Sequence, residues 1–353
     1  MTMIDPAIVP QRTLYTGAKM PAVGMGTFGS DHADADAVSA SVAGALRVGY
    51  RSFDCAACYG NEDMIGKIFA DAFAEGIVKR EELFIASKVW NDMHGDGDVL
   101  IACAKTLKDL KLDYLDMYYV HWPFPNYHAP HCDVDSRNPD SKPFTVERFM
   151  KTWRQMERLV DMGLTKHIGM SNMTIPKLEA VLPLCRIKPA AIEMELHPCF
   201  QQPELFDYCR AHGIEVVGFC PIGSPERPER DKMPEDIADI ELPELKAIAA
   251  AHGVHPAVIC IKWAVQRGAS PIPFSLKEKN YTMNLKCVTE DPLTEEEMAS
   301  LGFVKTDVLV DFEVGDMITV ISGAWKDTVG AIKAVNDSKQ TITINVEMFG
   351  RET

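Results

Sequence analysis

Short apolar runs and amphipathic stretches take turns along most of this chain of 353 residues. The apolar runs are Ala22–Gly26, Tyr50–Cys55, Leu83–Val89, Leu115–His121, Lys166–Ser171, Ala190–Leu196, Glu215–Ile222 and Ser270–Ser275. Most are continuous rather than alternating, the pattern of parallel strands buried on both faces. Helical spacing of apolar residues fills the intervals, over Asp36–Val48, Glu62–Phe73, Leu100–Leu110, Val146–Met162, Pro176–Leu184, Pro203–Ala211, Leu242–Ala251 and Pro256–Gln266. Eight strand signals, nearly every one followed by a helix, predict an α/β fold of the (β/α)8 TIM barrel type. An open doubly wound sheet is the competing arrangement. It usually carries G-x-G-x-x-G after its first strand, whereas Gly24-Met25-Gly26 leads here into Thr27-Phe28-Gly29 with no helix start.

Two connections are long. Pro123–Thr145, after the fourth strand, carries His128, His131, Asp133, Asp135 and Arg137, and Ser224–Glu241, after the seventh, is rich in Pro and charge. Both would lie on the C-terminal face of a barrel, where loops of this length usually act as lids. Beyond Leu301 the pattern changes to short strand-like runs separated by turn signals at Ser322-Gly323 and Asn336-Asp337. The expected organisation is a barrel over residues 1–305 and a small all-β barrel over residues 306–353.

Charge narrows the partners. Lys and Arg number 36 against 51 Asp and Glu, a formal net charge of −15. Gripping phosphates needs clustered cations, so nucleic acid is not an expected partner. No run of about eighteen apolar residues occurs, so no membrane helix is expected. The opening MTMIDPAIVPQRTLY has no basic segment leading into an apolar one, so no secretory signal is read. The ten scattered cysteines are then expected to be reduced, buried thiols of a cytoplasmic protein. Cys55 and Cys58 have redox or zinc spacing, but no second pair completes four ligands and no metal is expected.

Candidate chemistry sits at strand ends. The second strand runs into Phe53-Asp54-Cys55-Ala56-Ala57-Cys58-Tyr59-Gly60-Asn61-Glu62, the third holds Ser87-Lys88-Val89-Trp90, and the fourth ends Val120-His121-Trp122-Pro123. A lysine inside a buried strand is costly unless paired, and Asp54 is its natural partner. His121 alone could be a structural histidine and Lys88 alone a structural ion pair. Their alignment with Tyr59 at successive strand ends is what marks a site. At these residues the chain resembles the aldo-keto reductase superfamily, over roughly residues 13–301. F-D-x-A-x-x-Y-G-N-E, S-K-V-W-N and V-H-W-P occur in order. Ile168-Gly169-Met170-Ser171-Asn172, Glu195-Leu196-His197-Pro198 and Pro221-Ile222-Gly223-Ser224 follow.

The resemblance implies a reductase that passes a hydride from NAD(P)H to an aldehyde or ketone, with Asp54, Tyr59, Lys88 and His121 as its tetrad. Tyr59 would donate the proton, and His121 would hydrogen-bond the substrate oxygen and orient it. A free phenol has a pKa of about 10, and a Lys88 cation held by Asp54 would lower it. Phe28, Trp90 and Trp122 would line the carbonyl pocket with His121. The implied cofactor surface is Thr27, Asp54, Ser171, Asn172, Glu193, Phe219, Cys220, Ile222, Ser224, Phe274, Ser275, Asn280 and Asn284. Within it Ser171 and Asn172 would meet the nicotinamide carboxamide, Phe219 would stack on the ring, and Ser275 and Asn284 would hold the adenosine end. Three positions depart from the family. Glu193 replaces the usual Gln and, while ionised, accepts but cannot donate a hydrogen bond. Phe274 and Asn280 replace the Lys and Arg that usually grip the 2′-phosphate. NADP(H) is the family default, and these two leave NAD(H) open. Glu195 and His197 are read as structural. The polar loop at 123–145 hints at a polyhydroxylated carbonyl substrate such as a sugar.

The tail carries a second resemblance. Val314-Gly315-Asp316, Ile321-Ser322-Gly323, Val329-Gly330 and Met348-Phe349-Gly350-Arg351 are similar to the KOW domain that closes NusG-type transcription factors. Residues 309–353 hold four Lys/Arg and seven Asp/Glu, a poor balance for gripping RNA. A protein partner, or packing over the barrel through Trp325 or Phe349, is expected instead. The rival to an enzyme is a barrel kept as a regulatory or binding subunit, coupled through this domain to ribosome or transcription machinery.

Overall fold

The computed structural model describes residues 3–30, 32–124, 142–223 and 238–302, with strand segments at 317–319, 329–336, 341–345, 347–348 and 351–352. Two compact units divide the chain, Met1–Val304 and Lys305–Thr353. The first opens with an antiparallel hairpin, β1 (Gln11–Thr13) and β2 (Lys19–Pro21). Parallel strands follow: β3 (Met25–Gly26), β4 (Ser52–Asp54), β5 (Phe84–Val89), β6 (Leu115–Val120), β7 (Thr165–Ser171), β8 (Ala191–Glu195), β9 (Glu215–Phe219) and β10 (Ser270–Pro271). They pair in strict sequence order. The N–H groups of Gly24 and Gly26 donate to the carbonyls of Pro271 and Pro273 at 3.1 Å, which joins the last strand segment to the first. The expected (β/α)8 barrel is the arrangement found.

Helices cover the outside: α1 (Ala35–Val48), α2 (Glu62–Ala74), α3 (Asp98–Leu110), α4 (Val146–Asp161), α5 (Ile175–Val181), α6 (Pro203–Ala211), α7 (Pro243–His252), α8 (Pro256–Arg267), α9 (Glu278–Lys286) and α10 (Glu295–Gly302). Their ends follow capping chemistry. Asp34 accepts the Ala37 N–H at 2.8 Å to start α1, and Gly49, at φ 126°, stops it. In α4 the residues Phe149, Trp153, Met156 and Leu159 recur at helical spacing and are all buried, so the apolar stripe faces the barrel. No described helix is long and apolar enough to cross a membrane.

Strand register decides which side chains enter the barrel. Residues of a strand alternate between faces, and parallel pairing aligns Gly26 with Asp54, Asp54 with Ala86, and Ala86 with Met117. One layer higher, Lys88 aligns with Tyr119 and Tyr119 with Gly169. Ser171 then aligns with Glu193, and Glu193 with Val217. Phe84, Ala86, Met117, Tyr119, Ala191 and Val217 form an apolar cluster with Leu14 and Met20 of the hairpin, which plugs the N-terminal end. Asp54, Lys88 and Glu193 share their parity and so occupy the upper part of the same interior. Gly169 makes room: a Cβ there would meet the Tyr119 ring at 2.4 Å.

In the second unit β11 (Met317–Thr319), β12 (Val329–Asn336) and β13 (Thr341–Asn345) form an antiparallel meander with a register shift between Ile332 and Ala334. A further pair joins β14 (Glu347–Met348) and β15 (Arg351–Glu352). Trp325 and Phe349, the named apolar anchors, lie outside the described residues, as do most of the two long loops, at 125–141 and 224–237.

Candidate active site

The residues singled out in the sequence come from adjacent strands around one mouth. Asp54 ends β4, Lys88 lies in β5 and His121 follows β6. Tyr59 ends a single 3-10 turn, Ala57–Tyr59, and Gly60, at φ 66°, supplies the left-handed backbone that turns the chain into α2. Lys88 is fully buried, and its ammonium forms an ion pair with Asp54. It also donates to the Cys55 carbonyl at 3.1 Å and, more loosely, to the Tyr59 hydroxyl at 3.4 Å. Glu193 reaches across the interior from β8 and places Oε1 3.4 Å from the same nitrogen. Behind Asp54, the Thr27 hydroxyl donates to its carbonyl at 2.8 Å, and the Asn61 amide donates to the Thr27 carbonyl at 2.8 Å. These two bonds lock the β3 and β4 ends together.

His121 lies beside these residues. Its ring is edge-on to Tyr59, 6.0 Å between centroids, and to Trp90 at 4.9 Å. The Asn172 amide donates to its carbonyl at 2.9 Å, tying the β6 end to the β7 end. Phe28 lies 5.0 Å from Tyr59 and is 43% exposed, an apolar wall at the mouth. Trp122 is exposed too and packs on Phe124 at 5.9 Å. Cys58 is exposed rather than buried as expected, with Sγ 3.7 Å from His121 Nδ1. Cys55 is buried, as expected.

Burial reverses one expectation. Removing a phenol from water disfavours the phenolate, and this raises Tyr59 above the ordinary phenol range. Lys88 pulls downward but does not prevail against burial, and the charges of Asp54, Cys58 and Glu193 oppose it as well. Tyr59 therefore holds its proton firmly, and with Lys88 donating to its oxygen its own hydrogen is left to point elsewhere. Burial works against the Lys88 charge as well, but the two carboxyls outweigh it and keep the ammonium protonated. Burial, then the Asp54 charge, pushes Glu193 up to about 8. At neutral pH it is a carboxylic acid that can donate, not the ionised acceptor considered from sequence.

Several of the residues expected to meet a cofactor follow the remaining strands. Ser171 is buried at the end of β7, and its Oγ lies 3.2 Å from the Asn172 amide. Phe219 ends β9, followed by Cys220 and Ile222. Asn172 and Cys220 both adopt positive φ, 57° and 50°, a strain that gathers at functional strand ends. After β10 comes Phe274, packed on the core, then Ser275, which accepts from the Lys277 N–H and the Asn280 amide at 3.2 Å each. Asn284 is buried in α9. Ser224 lies outside the described residues. A cleft of about 470 Å³ lined by Gln11, Lys19, Arg51, Asp116, Lys166 and His167 sits at the opposite, N-terminal end of the barrel. Asp116 in its lining is paired with Arg80 at 2.8 Å and Lys166 at 3.0 Å, and Glu81 and Glu82 stand beside it.

Sequence reasoning missed Asp239. Its carboxylate meets His197 Nδ1 at 2.9 Å, and Glu195 lies 3.4 Å from Nε2. His197, Cys199 and Asp239 bring ligand-type atoms within 4.8 Å of one another. Burial disfavours the imidazolium, but hydrogen bonds to Asp239 and Glu195 win and push His197 up to about 9, while burial and Asp239 raise the Cys199 thiol. A histidine raised from 6.5 to about 9 contributes stability fully present below pH 6.5 and lost as pH rises through 9. Asp239→Asn is therefore expected to cost about 2–3 kcal/mol at pH 6 and far less at pH 10, read by urea denaturation. Equal costs at both pH values would mean that His197 is neutral in the fold.

Comparison with known proteins agrees with this geometry. The Aldo/keto reductase family model matches residues 22–303. An aldo/keto reductase of Synechocystis is 40% identical over 291 residues, 82% of this chain and 87% of that protein. Aldo-keto reductase family 1 member A1 of Xenopus tropicalis is 40% identical over 296 residues, 83% of this chain and 88% of its own. Among solved structures, the Bombyx mori aldo-keto reductase in complex with NADP superposes with a TM-score of 0.72 at 29% identity, covering 83% of this chain and 92% of that one. With the closed eight-stranded barrel, the buried Asp54–Lys88 pair and relatives matched over most of their length, this chain belongs to the aldo/keto reductase family.

Proposed function

We propose that Tyr59 is the proton donor in the NAD(P)H-dependent reduction of an aldehyde or ketone to an alcohol that this aldo/keto reductase carries out. The observation that carries this role is the contact of Tyr59 with a buried, ion-paired Lys88 at the barrel mouth, with His121 edge-on beside it. A reduced nicotinamide, when bound, supplies the hydride. The chain's own residues do the rest. His121 holds the carbonyl oxygen, and Tyr59 passes its proton there as negative charge builds. An alkoxide is a far stronger base than a phenolate, so even a Tyr59 of raised pKa gives up its proton downhill. Lys88 then faces the phenolate, and Phe28, Trp90 and Trp122 exclude water around the reacting carbon.

The donor set suits a nicotinamide. Asn172 spends its amide N–H groups on His121 and Ser171, which frees its oxygen to accept, and the Ser171 hydroxyl can donate. A carboxamide needs that pair. Phe219 offers a ring face nearby, with Thr27, Cys220, Ile222 and Ser224 around it, and Ser275, Asn280 and Asn284 would hold the adenosine end. Following deuterium from the transferring carbon of a reduced nicotinamide tests the reaction. The label is expected on the carbinol carbon, and its absence there would overturn the reading.

Cofactor choice turns on Phe274 and Asn280, which cannot make the charge-assisted bonds worth about 1.5–3 kcal/mol each that hold a 2′-phosphate. Lys286 is engaged with Glu290 at 2.9 Å, leaving Lys277 and Lys279 exposed at the start of α9. NADH is therefore expected to be a usable donor, with an NADPH preference in Kd well under about a thousandfold, or about 4 kcal/mol. Titrating both reduced cofactors checks this, and a larger ratio would show that the lysines grip the phosphate.

A barrel kept only as a binding subunit is disfavoured, since it has no use for a buried Lys88 held against Tyr59. For the C-terminal unit the reading is a KOW-like module that takes a protein partner, supported by its antiparallel strands and its excess of acids. A cytoplasmic location is supported by the buried thiols of Cys55, Cys103, Cys209, Cys260 and Cys287, which suit a reducing compartment.

A further inference from the structure

We propose that Asp54, Lys88 and Glu193 form a proton-storing cluster, in which the proton on Glu193 keeps the site neutral and its loss switches off proton delivery from Tyr59. The inference rests on the reading of Tyr59 as the proton donor. Its basis is a count of charges and donors. Two carboxyls face one cation: Asp54 in direct contact with Lys88, and Glu193 Oε1 at 3.4 Å. The side chains of Asp54 and Glu193 are each at least nine-tenths buried, and the outer oxygens, Asp54 Oδ1 and Glu193 Oε2, find no hydrogen-bond donor among the described residues. Yet the two carboxyls are close enough to share a hydrogen bond. Two carboxylates are acceptors only, so that bond requires one proton.

Lys88 decides where the proton sits. Its closer contact favours the charge of Asp54, so Glu193 keeps the hydrogen and donates it to Asp54. The cluster is then neutral overall. Among the described residues, the positions aligned beside the cluster supply no further cation. Tyr119 of β6 and Tyr59 are neutral phenols raised by burial, β7 presents the Ser171 hydroxyl, and β9 presents Val217. When Glu193 ionises, the cluster carries a net negative charge, the carboxyl–carboxyl bond is lost, and Lys88 is drawn between two anions. A phenolate forming on Tyr59 then meets repulsion where it met a cation. The ionisation of Glu193 falls near pH 8, well below that of Tyr59, so the two steps separate on a pH profile.

Two measurements test this. In cofactor-free enzyme, infrared spectra are expected to show a protonated carboxyl band that titrates near pH 8 and is missing from Glu193→Gln. Glu62, raised to about 7 by burial and bonded to Ser87 and Thr106, gives a second band that this variant leaves in place. In steady-state assays, wild-type kcat/KM for reduction is expected to fall about 10–10²-fold as pH rises through 8, the scale of one added charge at this range in a partly screened interior. Glu193→Gln and Glu193→Met, each normalised to its own maximum, should lose that limb. Either folded variant suffices. A variant with the wild-type limb, or no titrating band assignable to Glu193, would overturn the proposal. Failure of the Tyr59 reading would instead leave the infrared band intact and remove the dependence on Tyr59.

Discussion

Tyr59→Phe is expected to lower turnover of a good aldehyde by about 10²–10⁴-fold, the range for a lost general acid, with cofactor affinity near wild type. The substitution keeps the ring against Phe28 and His121 and removes only the hydroxyl. Lys88 loses its loosest class of contact, at 3.4 Å, and retains Asp54 and the Cys55 carbonyl. Stability should therefore change little. Because the proton moves only as charge builds on the substrate oxygen, kcat and kcat/KM should fall together. Steady-state kinetics with a fluorescence titration of cofactor checks both halves. A variant that turns over near the wild-type rate would remove Tyr59 from the chemistry.

Lys88→Met is expected to cost about 3–5 kcal/mol of stability, since it strands the Asp54 charge in the barrel interior. Most of that cost is the unpaired carboxylate, not the worth of the pair itself. Replacing both partners, as Asp54→Leu with Lys88→Met, should regain part of the lost stability and none of the activity. Urea denaturation of the two variants separates these outcomes. A single variant within about 0.5 kcal/mol of wild type would show that Asp54 is not left as a buried ion.

The barrel was legible because each interior strand is a short apolar run closed by a loop, and periodicity reports that directly. All eight runs reappear, although Ala22–Gly26 pairs as a strand only at Met25–Gly26 and Ser270–Ser275 only at Ser270–Pro271. The β1–β2 hairpin escaped notice because each arm has three residues, too few for a period to show. α9 was hidden by its polar sequence, EKNYTMNLK, of which Tyr281, Asn284 and Leu285 are buried. The candidate tetrad stood out because Lys88 is an anomaly inside a strand, Asp54 and His121 close the strands on either side, and Tyr59 follows Asp54 by five residues. Asp239 had no such marker. It is 42 residues from His197 and meets it only through the fold. Protonation states were the least legible feature of all. Whether Lys88 outweighs burial at Tyr59, and whether Glu193 is an acid or an anion, depends on distances across the barrel that spacing along the chain does not encode.

The central claim is that this chain is a working carbonyl reductase rather than a barrel retained for binding. The most direct measurement is the loss of reduced-nicotinamide absorbance when the full chain is mixed with NADPH, or NADH, and a broad panel of aldehydes including sugars. Turnover of at least some aldehydes is expected, abolished to within the stated range by Tyr59→Phe. Tight cofactor binding with no oxidation across the whole panel would contradict the account and favour a binding role.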